Sequence, residues 1–179
     1  MDKVNLKGKC FELYIPEAAI SEAVRNMAQQ IRLDFDGKTP LLLVMLNGAF
    51  MFASDLAQDL DNSFELCFVK YSSYEGMEST NELKEFLPVP DSIRNRDIII
   101  VEDIVDSGYT MSKMKSLLKG KGAKEVYIAT LLYKPDADKF EVNPDYVGFE
   151  IPNDFIVGHG LDYDGLGRCY RDIYRIISK

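Results

Sequence analysis

The run Ile98-Ile99-Ile100-Val101 constrains this chain more than any other stretch. Consecutive β-branched residues cannot alternate between core and water. They predict a strand buried on both faces, as in a parallel sheet covered by helices. Glu102 and Asp103 follow at its carboxyl end, and Asp106, Ser107, Gly108 and Tyr109 form a short turn. Met111, Met114, Leu117 and Leu118 recur at helical spacing, which predicts a helix starting near Thr110. A strand, an acidic pair, a small polar loop and a helix N-terminus form a phosphate and metal site. The backbone N–H groups and the helix dipole attract an anion there. Ser107 and Thr110 add hydroxyl donors, Gly108 permits close backbone approach, and the carboxylates suit Mg²⁺ and hydroxyl groups.

The rest of the chain repeats the alternation of strand and helix. Phe11 to Ile15 is a short opening region, and Pro16 stands where a first helical position belongs. Ile20, Val24, Met27 and Ile31 mark an amphipathic helix. Leu41 to Leu46 is a second buried strand, broken by Asn47-Gly48-Ala49, with helical spacing from Phe50 to Leu60. Gly48 could face backbone amides to an anion or simply pack in the turn, and spacing does not choose. A strand over Phe64 to Tyr71 leads into the polar stretch Ser72 to Asn81, whose composition cannot build a core. Pro88 and Pro90 mark a turn, and Gly120 and Gly122 end the helix after Thr110. Val126 to Leu132 is a further strand, with Lys134 just past its carboxyl end, where α/β folds place ligands. Ile173 to Ile177 reads as a closing strand.

The 179 residues fit a single domain, 1–179, without linker or repeat. A net charge of −8 and a pI near 4.7 argue against nucleic acid or an anionic membrane as main partner. Phosphate substrates remain compatible, because a local loop and a cation can invert the field. Cys10, Cys67 and Cys169 are far apart and lack metal-ligand spacing, which predicts reduced thiols and a cytoplasmic protein. No apolar run reaches membrane-spanning length, and no G-x-x-x-x-G-K-[ST] loop supports a kinase.

Val101 to Thr110, VEDIVDSGYT, resembles the phosphoribosyl pyrophosphate (PRPP) signature of the type I phosphoribosyltransferases, in the form found in hypoxanthine-guanine enzymes. The segment Tyr146 to Tyr163 resembles their purine-binding segment, and Ser73-Tyr74 matches a pair that opens a lid. The resemblance covers nearly the whole chain and is strongest from Leu41 onward.

It implies the type I phosphoribosyltransferase fold: a mostly parallel central sheet flanked by helices, a small hood formed by the chain ends, and a mobile lid over about 72–85. It implies transfer of phosphoribose from PRPP to a 6-oxopurine, in purine salvage, with Mg²⁺. By resemblance, Glu102 and Asp103 contact the ribose hydroxyls and metal. Asp106 to Thr110 cradle the 5′-phosphate, and Asp106 acts at purine N7. Asn47, Gly48 and Arg168 hold pyrophosphate. Lys134, Phe155, Ile156 and Asp162 form the purine pocket, and Asp162 ligates a second Mg²⁺. The family often carries Lys or Arg where this chain has Asn47, and Tyr where it has His159. It often has a cis peptide at this loop, here Leu46–Asn47. Dimers or tetramers are usual in it. A xanthine-preferring transferase and a non-catalytic PRPP-binding regulator stay open as other readings, and the ranking of hypoxanthine, guanine and xanthine is open too.

Overall fold

The computed structural model describes residues 2–60, 64–73 and 83–177. In chain order its strands are β1 (Lys3–Leu6), β2 (Lys9–Ile15), β3 (Leu41–Met45), β4 (Glu65–Ser73), β5 (Leu83–Leu87), β6 (Asp97–Val105), β7 (Glu125–Tyr133), β8 (Tyr146–Glu150), β9 (Ile156–Val157) and β10 (Ile173–Ile176). Its α-helices are α1 (Glu17–Asp34), α2 (Phe50–Asp59) and α3 (Tyr109–Gly120).

Six strands form the central sheet in the order β5-β4-β3-β6-β7-β8. All neighbours are parallel except β4 and β5. The apolar runs explain this arrangement. Every residue of β3 is buried, and side chains leave alternate faces. Leu42, Val44, Ile99 and Val101 pack with Ile20, Val24, Met27 and Ile31 of α1 and Phe52 and Leu56 of α2. Leu41, Leu43, Ile98 and Ile100 pack with Met111, Met114 and Leu118 of α3. Two cores thus sandwich one sheet, which fits strands with no polar face.

The chain ends build a separate antiparallel sheet, ordered β1-β2-β10-β9. Val4, Leu6, Phe11, Val157 and Tyr174 form its own small core. This is the expected hood, but β1 and the first residues of β2 extend it beyond the expected Phe11–Ile15. Its residues alternate too briefly to signal a strand, and long-range pairing with β10 supplies the rest.

Four further expectations are corrected. Pro16 precedes α1 with extended backbone rather than opening it, and the Glu17 N–H is capped from across the hood by Asp172 Oδ1 at 2.8 Å. The organising strand does not end before the acidic pair. It runs on to Val105, because β7 stays in register past it, Glu102 against Thr130 and Val105 against Tyr133. The closing strand stops at Ile176, one residue before the expected Ile177. The expected lid window is not all loop: Ser72 and Ser73 pair with Lys84 and Leu83 in an antiparallel ladder. Tyr74 lies outside the described residues.

Candidate active site

β6 and α3 position the centre of the site. Glu102 and Asp103 are successive strand residues, each with a carboxylate oxygen accepting a backbone N–H: Glu102 Oε1 from Asp103 at 3.2 Å, Asp103 Oδ1 from Ile104 at 2.9 Å. Asp103 is buried. Burial raises the Glu102 carboxyl well above the usual carboxylate range, and the adjacent Asp103 charge adds to it.

The loop Asp106–Gly108 then turns into α3. Gly108 caps the helix with φ +78°, a backbone state that side chains rarely adopt. A Cβ there would also fall 2.1 Å from Asp138 Oδ1. Asp138 itself accepts the Tyr133 hydroxyl at 3.0 Å and the N–H groups of Phe140 and Val142. The Lys139 N–H donates to the Ser107 carbonyl at 3.1 Å. The segment after β7 therefore holds the loop from behind, and at the start of α3 the Tyr109 N–H donates to Ser107 Oγ at 3.5 Å.

A cleft of about 310 Å³ opens over this loop. Leu46, Gly48, Tyr71, Glu102, Asp103 and residues 104–111 line it. The structure thus joins the first strand–loop–helix site to the Gly48 turn. The Leu46–Asn47 peptide is cis, as the resemblance implied. At Gly48 an added Cβ would lie 1.6 Å from Asp103 Oδ2, so the buried carboxylate would have to turn. Gly160, with φ +100°, lies against Gly48, its missing Cβ 1.9 Å from the Gly48 carbonyl. Asp103, Gly48 and Gly160 thus form a stack in which Gly160 meets backbone and admits no side chain.

Gly160 carries that stack to Arg168, whose Nη1 donates to the Gly160 carbonyl at 2.6 Å and whose Nη2 meets Asp162 Oδ1 at 2.6 Å. Asp162 Oδ2 also accepts the Gly165 N–H. Asp162 therefore sits with Arg168, and among the described residues no cluster of three metal-ligating side chains forms. The structure does not bring Asp162 together with Glu102 and Asp103.

On the opposite side of the loop, Lys134 is 6% exposed and its Nζ lies 2.8 Å from Asp106 Oδ2. Asn153 Oδ1 is 3.4 Å from the same Nζ. The lysine is buried and paired rather than solvated. Phe155 is 47% exposed, not a core aromatic, with its ring against Phe11 and Tyr163 at 6.3 and 5.7 Å. Ile156 is buried in β9 opposite Arg175. Ser73 ends β4, away from these groups in sequence, and places only the root of the expected lid.

Sequence reasoning missed Tyr71. It lines the cleft, donates to Glu85 Oε2 at 2.5 Å and accepts the Val89 N–H at 3.3 Å. Burial, then the Glu85 carboxylate, pushes its hydroxyl up to about 12. Its place at the carboxyl end of a parallel strand was the available signal. Asp138 gave none, because its role depends on contact with a distant glycine.

The phosphoribosyl transferase domain model matches residues 15–164, which covers both strand–loop–helix sites and the purine-like segment. The chain belongs to the phosphoribosyltransferase family. It is 40% identical over 161 residues to the hypoxanthine-guanine phosphoribosyltransferase of Lactococcus lactis, covering 89% of this chain and 87% of that protein. It is 39% identical over 153 residues to the bifunctional protein TilS/HprT of Listeria monocytogenes, covering 85% of this chain but spanning only 24% of that protein's length. A crystal structure of a hypoxanthine-guanine phosphoribosyltransferase from Bacillus anthracis superposes with a TM-score of 0.87 at 34% identity, covering 93% of this chain and 98% of that one. The central parallel sheet, the hood and the acidic loop are therefore those of a type I phosphoribosyltransferase. Among the described residues, no helix is long and apolar enough to cross a membrane.

Proposed function

We propose that this chain transfers the 5-phosphoribosyl group of PRPP to hypoxanthine, and to guanine, giving the nucleoside monophosphate and pyrophosphate in purine salvage. The observation that carries this reading is the buried Lys134 paired with Asp106, which lines one cleft with the phosphate-type loop and the acidic strand end. A buried lysine can donate to the exocyclic oxygen of a 6-oxopurine, and the adjacent carboxylate can hold the proton at N7. As the bond from N9 to the anomeric carbon forms, the bond to pyrophosphate breaks, and N7 shares its proton with Asp106.

The other roles are those that the family resemblance implies. N–H groups and hydroxyls of Asp106, Ser107, Gly108, Tyr109 and Thr110 bind the 5′-phosphate. Glu102 and Asp103 take the ribose hydroxyls. The exposed ring of Phe155 stacks on the base, worth about 1–3 kcal/mol in comparable contacts. The Ile156 backbone and Asp162 meet the base edge. Backbone amides at Asn47 and Gly48, with the Arg168 guanidinium, hold pyrophosphate. Asn47 brings no charge to that loop. Closure by the lid that Ser73 and Tyr74 open would exclude water from an oxocarbenium-like centre.

The carboxylates of Glu102 and Asp103 fit Mg²⁺, which characteristically takes one or two carboxylates together with substrate phosphate. Bound there, Mg²⁺ would offset the negative charge that builds on the departing pyrophosphate. Asp162 would serve as a ligand to a second Mg²⁺. Exposed Phe50, Leu66 and Phe68 on the outer face of α2 and β4 support a homodimer or homotetramer. The reduced-thiol pattern supports a cytoplasmic location. Calorimetry with PRPP tests the site: binding should require Mg²⁺, and equally tight binding in excess chelator would contradict this assignment.

A further inference from the structure

His159 is the only histidine, is 3% exposed, and lies between Gly158 and Gly160 in a loop of three successive positive φ values, +105°, +46° and +100°. This loop is the one whose Gly160 rests on Gly48. A buried polar ring in a sterically costly backbone state needs a reason.

Its two nitrogens face two acceptors. Nδ1 is 3.1 Å from the Arg171 carbonyl, so Nδ1 must carry a hydrogen. Nε2 is 3.3 Å from Oδ2 of Asp55 on α2, at ion-pair distance but outside hydrogen-bond angles. In the neutral ring with hydrogen on Nδ1, the Nε2 lone pair would face a carboxylate. A ring with hydrogen on both nitrogens satisfies both sides. The Asp55 side chain is 39% exposed and can turn toward it.

We propose that His159 is a positioning residue: charged and clasped to Asp55, it locks the Gly158–Gly160 loop against Gly48 and so sets the pyrophosphate end of the cleft. The placement of Gly48 and Arg168 on pyrophosphate rests on the function proposed above. The link itself does not. Arg168 donates to the carbonyl of Gly160, and Gly48 is wedged between Gly160 and Asp103, so a shift of the His159 loop moves both. The other charged groups around the clasp are already engaged. Arg171, whose backbone takes the Nδ1 hydrogen, pairs with Glu17 at 2.7 Å and also feels Asp55. Asp172 takes the Glu17 N–H and the Tyr174 hydroxyl. Arg168 pairs with Asp162. Asp55 is the carboxylate in reach of Nε2 among the described residues.

Because the chain has one histidine, ¹⁵N spectra of its imidazole can be read directly. At neutral pH both nitrogens should carry protons in the wild type. In Asp55→Asn the side-chain amide can donate to Nε2, so the neutral ring with hydrogen on Nδ1 should replace it. A neutral wild-type ring, or no change in the Asn variant, would overturn the clasp. In kinetics, His159→Phe should raise the KM for pyrophosphate in the reverse reaction roughly tenfold, the scale of a charged hydrogen bond, and leave the purine-side KM alone. Asp55→Asn should raise the same KM, because the clasp is lost. Both KM values moving together, or neither, would refute the positioning role. If His159→Phe does not fold, the KM of Asp55→Asn against that of the wild type decides. A wild type without transfer activity would refute the functional reading instead, and the spectra would still decide the clasp.

Discussion

Two cation–carboxylate pairs belong to the candidate site, but they differ in burial. In one, the Lys134 side chain is 7% exposed and its partner Asp106 is 52% exposed. In the other, Arg168 and Asp162 are 29% and 28% exposed, so both partners are partly open. The buried lysine is fixed by the sheet end, and only the aspartate has room to turn. A base entering there would meet a fixed donor and a movable proton acceptor. In the Arg168–Asp162 pair neither partner is fixed by burial. Position comes instead from the glycine stack of Gly48 and Gly160 and from the Arg168 bond to the Gly160 carbonyl. One pair is specified by desolvation of a charge, the other by backbone packing.

Breaking the exposed, movable half of the Lys134–Asp106 pair should have the largest effect. Asp106→Asn keeps the shape but cannot accept a proton, so the maximal rate should fall about 10²–10⁴-fold. PRPP affinity should change little. Normal turnover with poor PRPP binding would make Asp106 a scaffold for the phosphate loop. Removing the fixed half comes next. Lys134→Ala should lower kcat/KM for hypoxanthine roughly 10- to 100-fold, the value of a hydrogen bond from a charged donor. The KM for PRPP should hardly move, and unchanged constants for hypoxanthine would show that the lysine reads nothing.

At the open pair the expected loss is smaller. Arg168→Ala should raise the KM for pyrophosphate roughly tenfold, with the purine KM unchanged in steady-state assays. A purine-side effect as large would erase the distinction between the pairs. The smallest effect is on stability. Burial raises Glu102 in the fold, so the folded chain favours its protonated form. That contribution is complete below the unfolded range of a glutamate and is lost as pH rises through the folded value. Above the unfolded range of a glutamate, Glu102 therefore costs stability in the metal-free protein. Glu102→Gln should raise the Tm by about 2–4 °C while impairing transfer. An unchanged Tm by calorimetry would mean that the carboxylate is not strained there.

The central sheet was legible because both-face burial leaves an unbroken apolar run, as in Leu41–Met45 and Ile98–Val101. The phosphate loop was legible because glycine, hydroxyls and carboxylates occupy adjacent positions. The hood was legible only in part. β1 has four residues and β9 has two, too short for a local pattern, and the pairing that joins the chain ends is that of β2 with β10. The extension of β6 through Glu102 and Asp103 ran against composition, since acidic residues disfavour strands, and pairing with β7 overrode it. The Lys134–Asp106 pair spans 28 positions, and the His159–Asp55 contact joins α2 to a loop near the C-terminus. Such contacts appear only once the sheet has ordered its strands. The side-chain roles at Asn47, Asp162 and Arg168 came from resemblance. The structure adds that Asp162 and Arg168 engage each other.

The most direct test of the account is product formation by the purified wild-type chain. PRPP, Mg²⁺ and each of hypoxanthine, guanine and xanthine are supplied, and nucleotide and pyrophosphate are quantified together. The account predicts equal amounts of nucleoside monophosphate and pyrophosphate with hypoxanthine. Absence of nucleotide with every base, despite PRPP binding, would contradict it.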